Sequence, residues 1–100
     1  MLNSNVELKG SVVLVTGAAG FVGSNLVQEL IRTVGNIKII GLDSVNDYYD
    51  TAIKEYRLRE IDALAKESAA EWIFIKGNLA DKPLIDKTFE EYRPAVCVNL

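Results

Sequence analysis

The sequence predicts an α/β domain in which a parallel sheet of four strands, in the order 3-2-1-4, carries helices on both faces. Two observations support this prediction. Apolar segments of strand length alternate strictly with longer segments whose apolar residues recur at helical spacing. The strand segments are also continuously apolar, which is typical of parallel strands covered on both faces. Right-handed crossovers between such strands favour a doubly wound arrangement of this order.

The first strand, near residues 12–16, runs directly into the first helix, near 21–34. Apolar residues recur along this helix so that they form one buried stripe. The stripe comprises Val22, Leu26, Val27, Leu30 and Ile31. We expect Gly35, followed by Asn36, to end the helix.

The second strand is predicted near residues 37–42 and the second helix near 50–69. The apolar stripe expected on this helix comprises Ile53, Tyr56, Ile61, Leu64 and Ala65. The charged residues expected on its solvated face are Lys54, Glu55, Arg57, Arg59, Glu60 and Lys66.

The third strand, near residues 72–76, is followed by a helix near 82–92 and a last strand near 95–99. We expect Asp81 to cap that helix, with Pro83 tolerated in its first turn. A complete fold of this type has two further strands, so the fourth strand is expected to be an exposed edge. We therefore expect either a homo-oligomer formed through the uncovered apolar sheet surface, or further sequence downstream.

Composition restricts the function. One hundred residues, 49% of them apolar and 8% aromatic, suit a single compact domain, which we assign to residues 11–100 with an N-terminal extension over 1–10. The formal charge of −3 and the lack of a Lys/Arg cluster argue against nucleic acid or an anionic membrane surface as partner. Neither a leader pattern nor an apolar run of about 18 residues is present. We expect a cytoplasmic protein.

The single cysteine, Cys97, is set in an apolar strand, and the chain has no histidine. No internal disulfide is possible, which fits a reducing compartment. We predict a buried thiol with no catalytic role, and no metal site.

Three spaced glycines join the first strand to the first helix. Gly17 would allow the tight turn, Gly20 would let the backbone approach a pyrophosphate, and Gly23 would let the helix pack closely. The helix N-terminus favours such an anion without a lysine. A P-loop would need a Gly-Lys-Ser/Thr sequence, and no Lys lies between Gly10 and Lys38, so ATP chemistry of that kind is excluded.

Asp43 ends the second strand, twenty residues after Gly23. This is the spacing expected of a carboxylate that accepts hydrogen bonds from a ribose, so the pattern predicts the N-terminal portion of a dinucleotide-binding Rossmann fold. A 2′-phosphate would be repelled by this carboxylate, which favours NAD over NADP. The alternatives are a purely structural turn and, for Asp43, a helix cap or loop carboxylate.

Beyond these features, the chain resembles the extended short-chain dehydrogenase/reductase family in residues 16–26 (TGAAGFVGSNL), in 75–81 (IKGNLAD) and in 93–100 (RPAVCVNL). Residues 41–50 (GLDSVNDYYD) and 53–58 (IKEYRL) are similar to nucleotide-sugar epimerases, especially the UDP-glucuronate 4-epimerase type. The resemblance covers nearly the whole chain from Ser11 onward.

The resemblance implies cofactor contacts in two loops. Phe21 and Val22 would present backbone N–H groups to the pyrophosphate, and Asp43 would accept from the hydroxyls of the adenosine ribose. Ser44 and Asn46 would make further contacts to that ribose or to the adenine.

The resemblance also implies that Asn78 and Leu79 flank the adenine. The family usually has Asp at position 78; Asn still accepts through its carbonyl oxygen, so we expect adenine recognition to be weakened rather than lost. A turn residue after Gly77 is the alternative reading. Tyr48 and Tyr49 are interpreted either as residues lining a sugar-nucleotide site or as packing residues.

The implied function is the NAD-binding region of a nucleotide-sugar epimerase, in which hydride leaves C4 of a UDP-sugar for nicotinamide and returns to the other face. A dehydratase or decarboxylase of the same family is the alternative, and a non-catalytic NAD-binding module is another. The family's Tyr-x-x-x-Lys motif is absent, because Ala52 and Glu60 lie four residues after Tyr48 and Tyr56. We therefore assign no catalytic residue and expect this chain to be inactive alone.

Overall fold

The computed structural model describes residues 10–45 and 51–100, which form four strands and three helices. The elements are β1 (Val12–Thr16), α1 (Phe21–Thr33), β2 (Lys38–Asp43), α2 (Thr51–Lys66), β3 (Glu71–Lys76), α3 (Lys82–Tyr92) and β4 (Val96–Asn99). The predicted alternation of strands and helices is confirmed. The largest boundary difference is at the end of α2, which stops at Lys66 rather than near residue 69.

All neighbouring strands are parallel, and their order is β3-β2-β1-β4, as predicted. Leu14 of β1 lies beside Ile40 of β2 on one side and Cys97 of β4 on the other. Paired positions share a face of the sheet, so this register decides which side chains meet which helix.

The two faces of the sheet carry separate apolar cores. On one face, α1 and α2 pack over the inner strands, and the buried residues of this core are Val13, Val15, Ala18, Val27, Leu30, Ile31, Ile37, Ile39, Ile61 and Ala65. On the other face, α3 contributes Leu84, Ile85 and Tyr92 to a smaller core of Leu14, Ile40 and Leu42. Helices therefore cover both faces, as the continuously apolar strands predicted.

Local signals at the helix ends act as expected. Gly35 adopts a positive φ of 74° just after α1, where a residue with a Cβ would be strained. At the start of α3, the Asp81 carboxylate accepts a hydrogen bond from the backbone N–H of Leu84 at 3.2 Å. Pro83 lies in the first turn of this helix.

The stripe predicted for α2 is wrong in the first half of the helix. Ile53 and Tyr56 are 46% and 55% exposed, whereas the Lys54 side chain is only 18% exposed. Ile61 and Ala65 are buried, and positions three, four or seven residues before them on the helix point to the same side. Packing against α1 and β3 therefore selects a helix face that includes a lysine, because that face is fixed by Ile61.

The prediction of a buried Cys97 is also wrong, because this thiol is exposed. β4 lies at an edge of the sheet, and Cys97 shares the face that α3 covers. Among the described residues, the apolar side chains packed there come from α3 and the other three strands, and none of them covers the part of the face that belongs to β4.

Candidate nucleotide-binding site

The turn between β1 and α1 depends on three glycines. Gly17 has a φ of 69° and donates its backbone N–H to the carbonyl of Leu42 at 2.8 Å, which joins the turn to the end of β2. A Cβ on Gly23 would overlap the carbonyl oxygen of Gly17. A Cβ on Gly20 would lie 3.2 Å from the same oxygen. The turn is thus compact because two of its residues lack a side chain where the chain folds back on itself.

The N-terminus of α1 is open to a ligand. Gly20 is the cap residue, with extended backbone and no side-chain cap, and the first turn contains no acidic residue. Phe21 and Val22 are both exposed. The prediction that Val22 belongs to the buried stripe of α1 is therefore wrong. The reason is that the first turn of α1 follows the glycine turn beyond the end of β1, where Val22 lines a cavity instead.

Asp43 holds three segments together through a carboxylate that is 5% exposed. One oxygen, Oδ2, accepts the backbone N–H of Ala19 in the glycine turn at 3.0 Å. The other, Oδ1, accepts the backbone N–H of Val45 at 2.9 Å and lies 3.3 Å from the ammonium of Lys54 on α2. The acidic residue at the end of β2 therefore orders the loop on which the predicted site depends.

Two adjoining cavities, of about 230 and 450 Å³, lie at the carboxyl end of the sheet and have four lining residues in common. The shared residues are Gly17, Asp43, Lys54 and Leu100. The smaller cavity is also lined by Leu42, Ser44, Gly77, Asn78 and Leu79, and the larger one by Gly20, Val22 and Gly23. Of the other predicted site residues, Phe21 is adjacent and exposed, and Asn46 lies outside the described residues, as do Tyr48 and Tyr49.

Asn78 is engaged in a turn of its own. Its side-chain oxygen accepts the backbone N–H of Ala80 at 2.8 Å, and its carbonyl accepts the N–H of Asp81 at 2.9 Å. The turn reading of this residue therefore has structural support, although Asn78 and the exposed Leu79 both line the smaller cavity. Since Oδ1 faces Ala80, the amide nitrogen remains as the donor of this side chain.

Two cationic residues of α2 that the sequence analysis placed in solvent lie beside the glycine turn. Lys54 pairs with Asp43, and the guanidinium of Arg57 donates to the carbonyl of Ala19 at 3.3 Å and lies 5.8 Å from the ring centre of Phe21. Lys54 and Arg57 precede Ile61 by seven and four residues, so the periodicity of the helix contained a usable signal.

Thr16 is a further residue that sequence reasoning missed. Its buried hydroxyl donates to the side-chain oxygen of Asn99 at 2.8 Å and accepts the backbone N–H of Leu100 at 3.0 Å. These bonds tie the ends of β1 and β4 together beside the cavities. They connect residues more than eighty positions apart, which a local pattern does not reveal.

Tyr56 has no feature of a catalytic base. A hydrogen bond from its hydroxyl to the Glu60 carboxylate, together with the charge of that carboxylate, raises the pKa of the phenol above its usual value. A proton-transferring tyrosine needs a pKa moved toward neutrality.

Among residues 10–45 and 51–100, no cluster of three metal-ligating side chains occurs. In the same ranges, no helix is long and apolar enough to span a membrane.

The sheet order, the glycine turn after β1 and the carboxylate at the end of β2 define the N-terminal part of a Rossmann-type domain. The family model described as the NAD dependent epimerase/dehydratase family matches residues 13–100. The chain belongs to this family, which bears out the resemblance seen in the sequence.

The curated relatives include both epimerases and dehydratases. The chain is 42% identical over 88 residues to protein CapI of Staphylococcus aureus, covering 88% of this chain and 24% of that protein. It is 42% identical to UDP-glucuronate 4-epimerase 2 of Arabidopsis thaliana, over 81% of this chain and 17% of the relative. It is 31% identical to dTDP-D-glucose 4,6-dehydratase of Dictyostelium discoideum, over 99% of this chain and 21% of the relative. The chain thus spans a quarter or less of these proteins.

A solved structure confirms the fold class. The dTDP-glucose 4,6-dehydratase of Bacillus anthracis, solved in complex with NAD, aligns with a TM-score of 0.73 and 28% identity, over 90% of this chain and 26% of that one. A ketoreductase domain from the bacillaene assembly line aligns with a TM-score of 0.62 at 23% identity and shares the fold alone.

Proposed function

We propose that this chain binds the adenosine half of NAD and forms the N-terminal region of a nucleotide-sugar epimerase that acts on a UDP-sugar. The observation that carries the proposal is the buried Asp43 carboxylate at the junction of two cavities, with the glycine turn on one side and Asn78 and Leu79 on the other. The family's NAD dependence and the UDP-glucuronate 4-epimerases among the relatives support it.

In this proposal, each cavity takes one part of the cofactor. The smaller cavity takes the adenine between Asn78 and Leu79, with the ribose hydroxyls on Asp43 and contacts from Ser44 and Asn46. In the larger cavity, the pyrophosphate lies over Gly20 and the first turn of α1, where the backbone N–H groups of Phe21 and Val22 and the helix dipole favour an anion. The Asp43 carboxylate disfavours a 2′-phosphate, so NAD is preferred to NADP.

NAD supplies the hydride acceptor for the transient oxidation of the sugar at C4. The residues of this chain bind and orient the cofactor, but no Tyr-x-x-x-Lys motif is present to move the proton. We therefore propose that residues 11–100 act as a cofactor-binding unit, preceded by an extension over 1–10, without turnover of their own. The exposed Cys97 thiol favours a reducing, cytoplasmic setting for this unit.

A second candidate is a nucleotide-sugar dehydratase, which the Dictyostelium and Bacillus relatives favour. A decarboxylase of the same family and a non-catalytic NAD-binding module are further alternatives. The dehydratase and the decarboxylase would share the proposed cofactor site with the epimerase. They differ from it in the chemistry that follows sugar oxidation.

Isothermal titration of this chain with NAD, NADP and ADP-ribose tests the proposal, with light scattering in the same buffer to record self-association. We expect binding of NAD and ADP-ribose and much weaker binding of NADP. Absence of NAD binding by a folded chain would contradict the proposed site. Assaying the full-length protein with UDP-glucuronate would separate epimerisation from decarboxylation by the product formed. Assaying it with dTDP-glucose, which has the C6 hydroxyl that a 4,6-dehydration eliminates, would test for dehydration.

A further inference from the structure

Lys54 has an unusual position for a lysine. Its side chain is 18% exposed and occupies the buried side of α2, with the ammonium 3.3 Å from Asp43 Oδ1. It lines both cavities at their junction. Lysine is seldom buried unless it is paired, so its place there is explained by the acidic partner and by whatever else the ammonium meets.

The hydrogen-bonding capacity of Asp43 is nearly used up. Oδ1 accepts from both Val45 and Lys54, and Oδ2 accepts from Ala19. A ribose offers two adjacent hydroxyls, whereas a carboxylate has about four acceptor positions in all. Two hydroxyls can both bind without crowding if the ammonium gives up its position on Oδ1. A bound ribose would therefore release Lys54 toward the larger cavity.

Among the residues that the structure describes, the charged side chains beside the glycine turn sum to a positive charge. Lys54 and Arg57 both approach this turn from α2, Asp43 is the acidic group that pairs with Lys54, and the first turn of α1 has no acidic residue. A dinucleotide pyrophosphate carries two negative charges. Lys54 lines the same cavity as Gly20 and Val22, and this cavity is the one in which the proposed pyrophosphate would lie.

We propose that Lys54 is a ligand of the cofactor, which moves from Asp43 to the pyrophosphate when the ribose binds. This inference rests on the proposed NAD site and adds to it a cation that the glycine motif does not require. Charge-assisted hydrogen bonds of this type are worth about tenfold in affinity or more.

Lys54→Met tests the inference, with Lys66→Met as a matched control that removes the same charge from an exposed position of α2. NMR titrations of the 100-residue chain with ADP-ribose and with adenosine measure strong and weak binding alike. We expect Lys54→Met to weaken ADP-ribose about tenfold and to change adenosine less than about twofold. Lys66→Met should alter neither, and Lys54→Arg should restore most of the ADP-ribose affinity. Equal losses for both ligands, or none, would overturn the proposal.

A double-mutant experiment separates a direct contact between Lys54 and the phosphate from an indirect effect, in which Lys54 neutralises the charge of Asp43. In an Asp43→Asn background, Lys54 loses the acidic partner that the described residues give it, so a further Lys54→Met change should still weaken ADP-ribose severalfold if the ammonium binds phosphate. Absence of an additional loss would overturn the proposed contact. Circular dichroism establishes that each variant is folded. Failure of the unmodified chain to bind NAD would instead reject the proposed function, and this inference with it.

Discussion

At the scale of single residues, the site depends on groups whose structural and binding tasks overlap. Gly23 is required by the close approach of α1 to Gly17, and Asp43 bonds the turn, its own loop and α2. Substitutions here therefore need separate measurements of stability and of affinity. Gly20 and Asn78 are better suited to affinity tests, because both line the cavities and make fewer structural contacts than Gly23 and Asp43.

Gly20→Val is expected to lower NAD affinity by at least about tenfold, because its side chain would occupy the space in which the pyrophosphate approaches the turn. A Cβ there lies 3.2 Å from the Gly17 carbonyl oxygen, a tight contact with backbone, so we expect some loss of stability, smaller than that of a substitution at Gly23, whose Cβ would overlap the same oxygen. Calorimetric titration and thermal unfolding measure the two effects. Unchanged NAD affinity would contradict the assignment of the turn.

Asp43→Ala is expected to destabilise the fold by about 3 kcal/mol, because it leaves the partly buried Lys54 without its partner and two backbone N–H groups without an acceptor. It should also weaken NAD and narrow its advantage over NADP. Urea unfolding and titration with both cofactors check these results. Asp86→Ala, which breaks an exposed pair with Lys82, is the control and should cost less than about 0.5 kcal/mol. An unchanged NAD/NADP ratio would contradict the ribose role.

Asn78→Asp is expected to raise the preference for an adenine over a hypoxanthine dinucleotide by about fivefold. The Asn78 oxygen already accepts from Ala80, whereas aspartate keeps a second acceptor oxygen for the exocyclic amine of adenine. Titrating the unmodified chain and the Asn78→Asp variant with NAD and with its hypoxanthine analogue gives the ratio of the two affinities for each protein. The added charge acts equally on both dinucleotides, so its effect cancels in this ratio. An unaltered ratio would place the base away from residue 78.

At the scale of elements, α2 shows how packing chooses among faces of comparable apolarity. Ile61 and Ala65 enter the core beside Val13, Val15 and Ile39. This fixes the phase of α2, meaning its rotation about its own axis, and places Ile53 at the surface. The same rotation brings Lys54 to Asp43. The element thus delivers charge to the site as a consequence of where its apolar half is anchored.

The comparison of Ile61→Ala with Ile53→Ala tests this phase. Ile61 is fully buried, so Ile61→Ala should lower the unfolding free energy by about 3 kcal/mol, because the lost side chain leaves a cavity. Ile53 is largely exposed, and its replacement should cost less than about 0.5 kcal/mol. Urea denaturation of both variants measures the difference. Equal losses of stability would contradict the observed orientation of α2 and support the buried stripe predicted from the sequence.

At the scale of the whole molecule, the sheet is covered unevenly. Two helices protect one face, whereas α3 packs on the other face and leaves the β4 part of it open, with Cys97 exposed. Leu100, next to β4, is also exposed. A strand edge that the other described residues leave uncovered favours pairing with another surface, which is why we propose self-association through it.

Cys97 reports on this surface. We expect its thiol to react with a disulfide reagent at dilute concentration without denaturant, at a rate close to that of the urea-unfolded chain. At higher protein concentration, association through the β4 surface should slow the reaction. Absorbance of the released thiolate measures the rate. A thiol that reacts only in urea at every concentration would contradict the exposed position.

The fold could be predicted almost completely from the sequence because its signals are local. Strand and helix periods, the stop at Gly35 and the cap at Asp81 all act within a few residues, and parallel crossovers restrict the topology. Most of the predicted site residues that the structure describes line one pair of adjoining cavities, because a glycine turn and a strand-end carboxylate lie at the same edge of a parallel sheet.

The sequence by itself thus determined the element order, the sheet order and the edge at which the candidate site lies. Only the tertiary structure decided the phase of α2, the pairing of Lys54 with Asp43, the bonds of Thr16 to β4 and the exposure of Cys97. The physical reason is that all four features depend on contacts between different elements, from eleven residues apart for Lys54 and Asp43 to more than eighty for Thr16 and the end of β4. Local patterns carry backbone preference and periodicity within one element, whereas these features arise when separate elements compete for the same space and the same hydrogen-bonding groups.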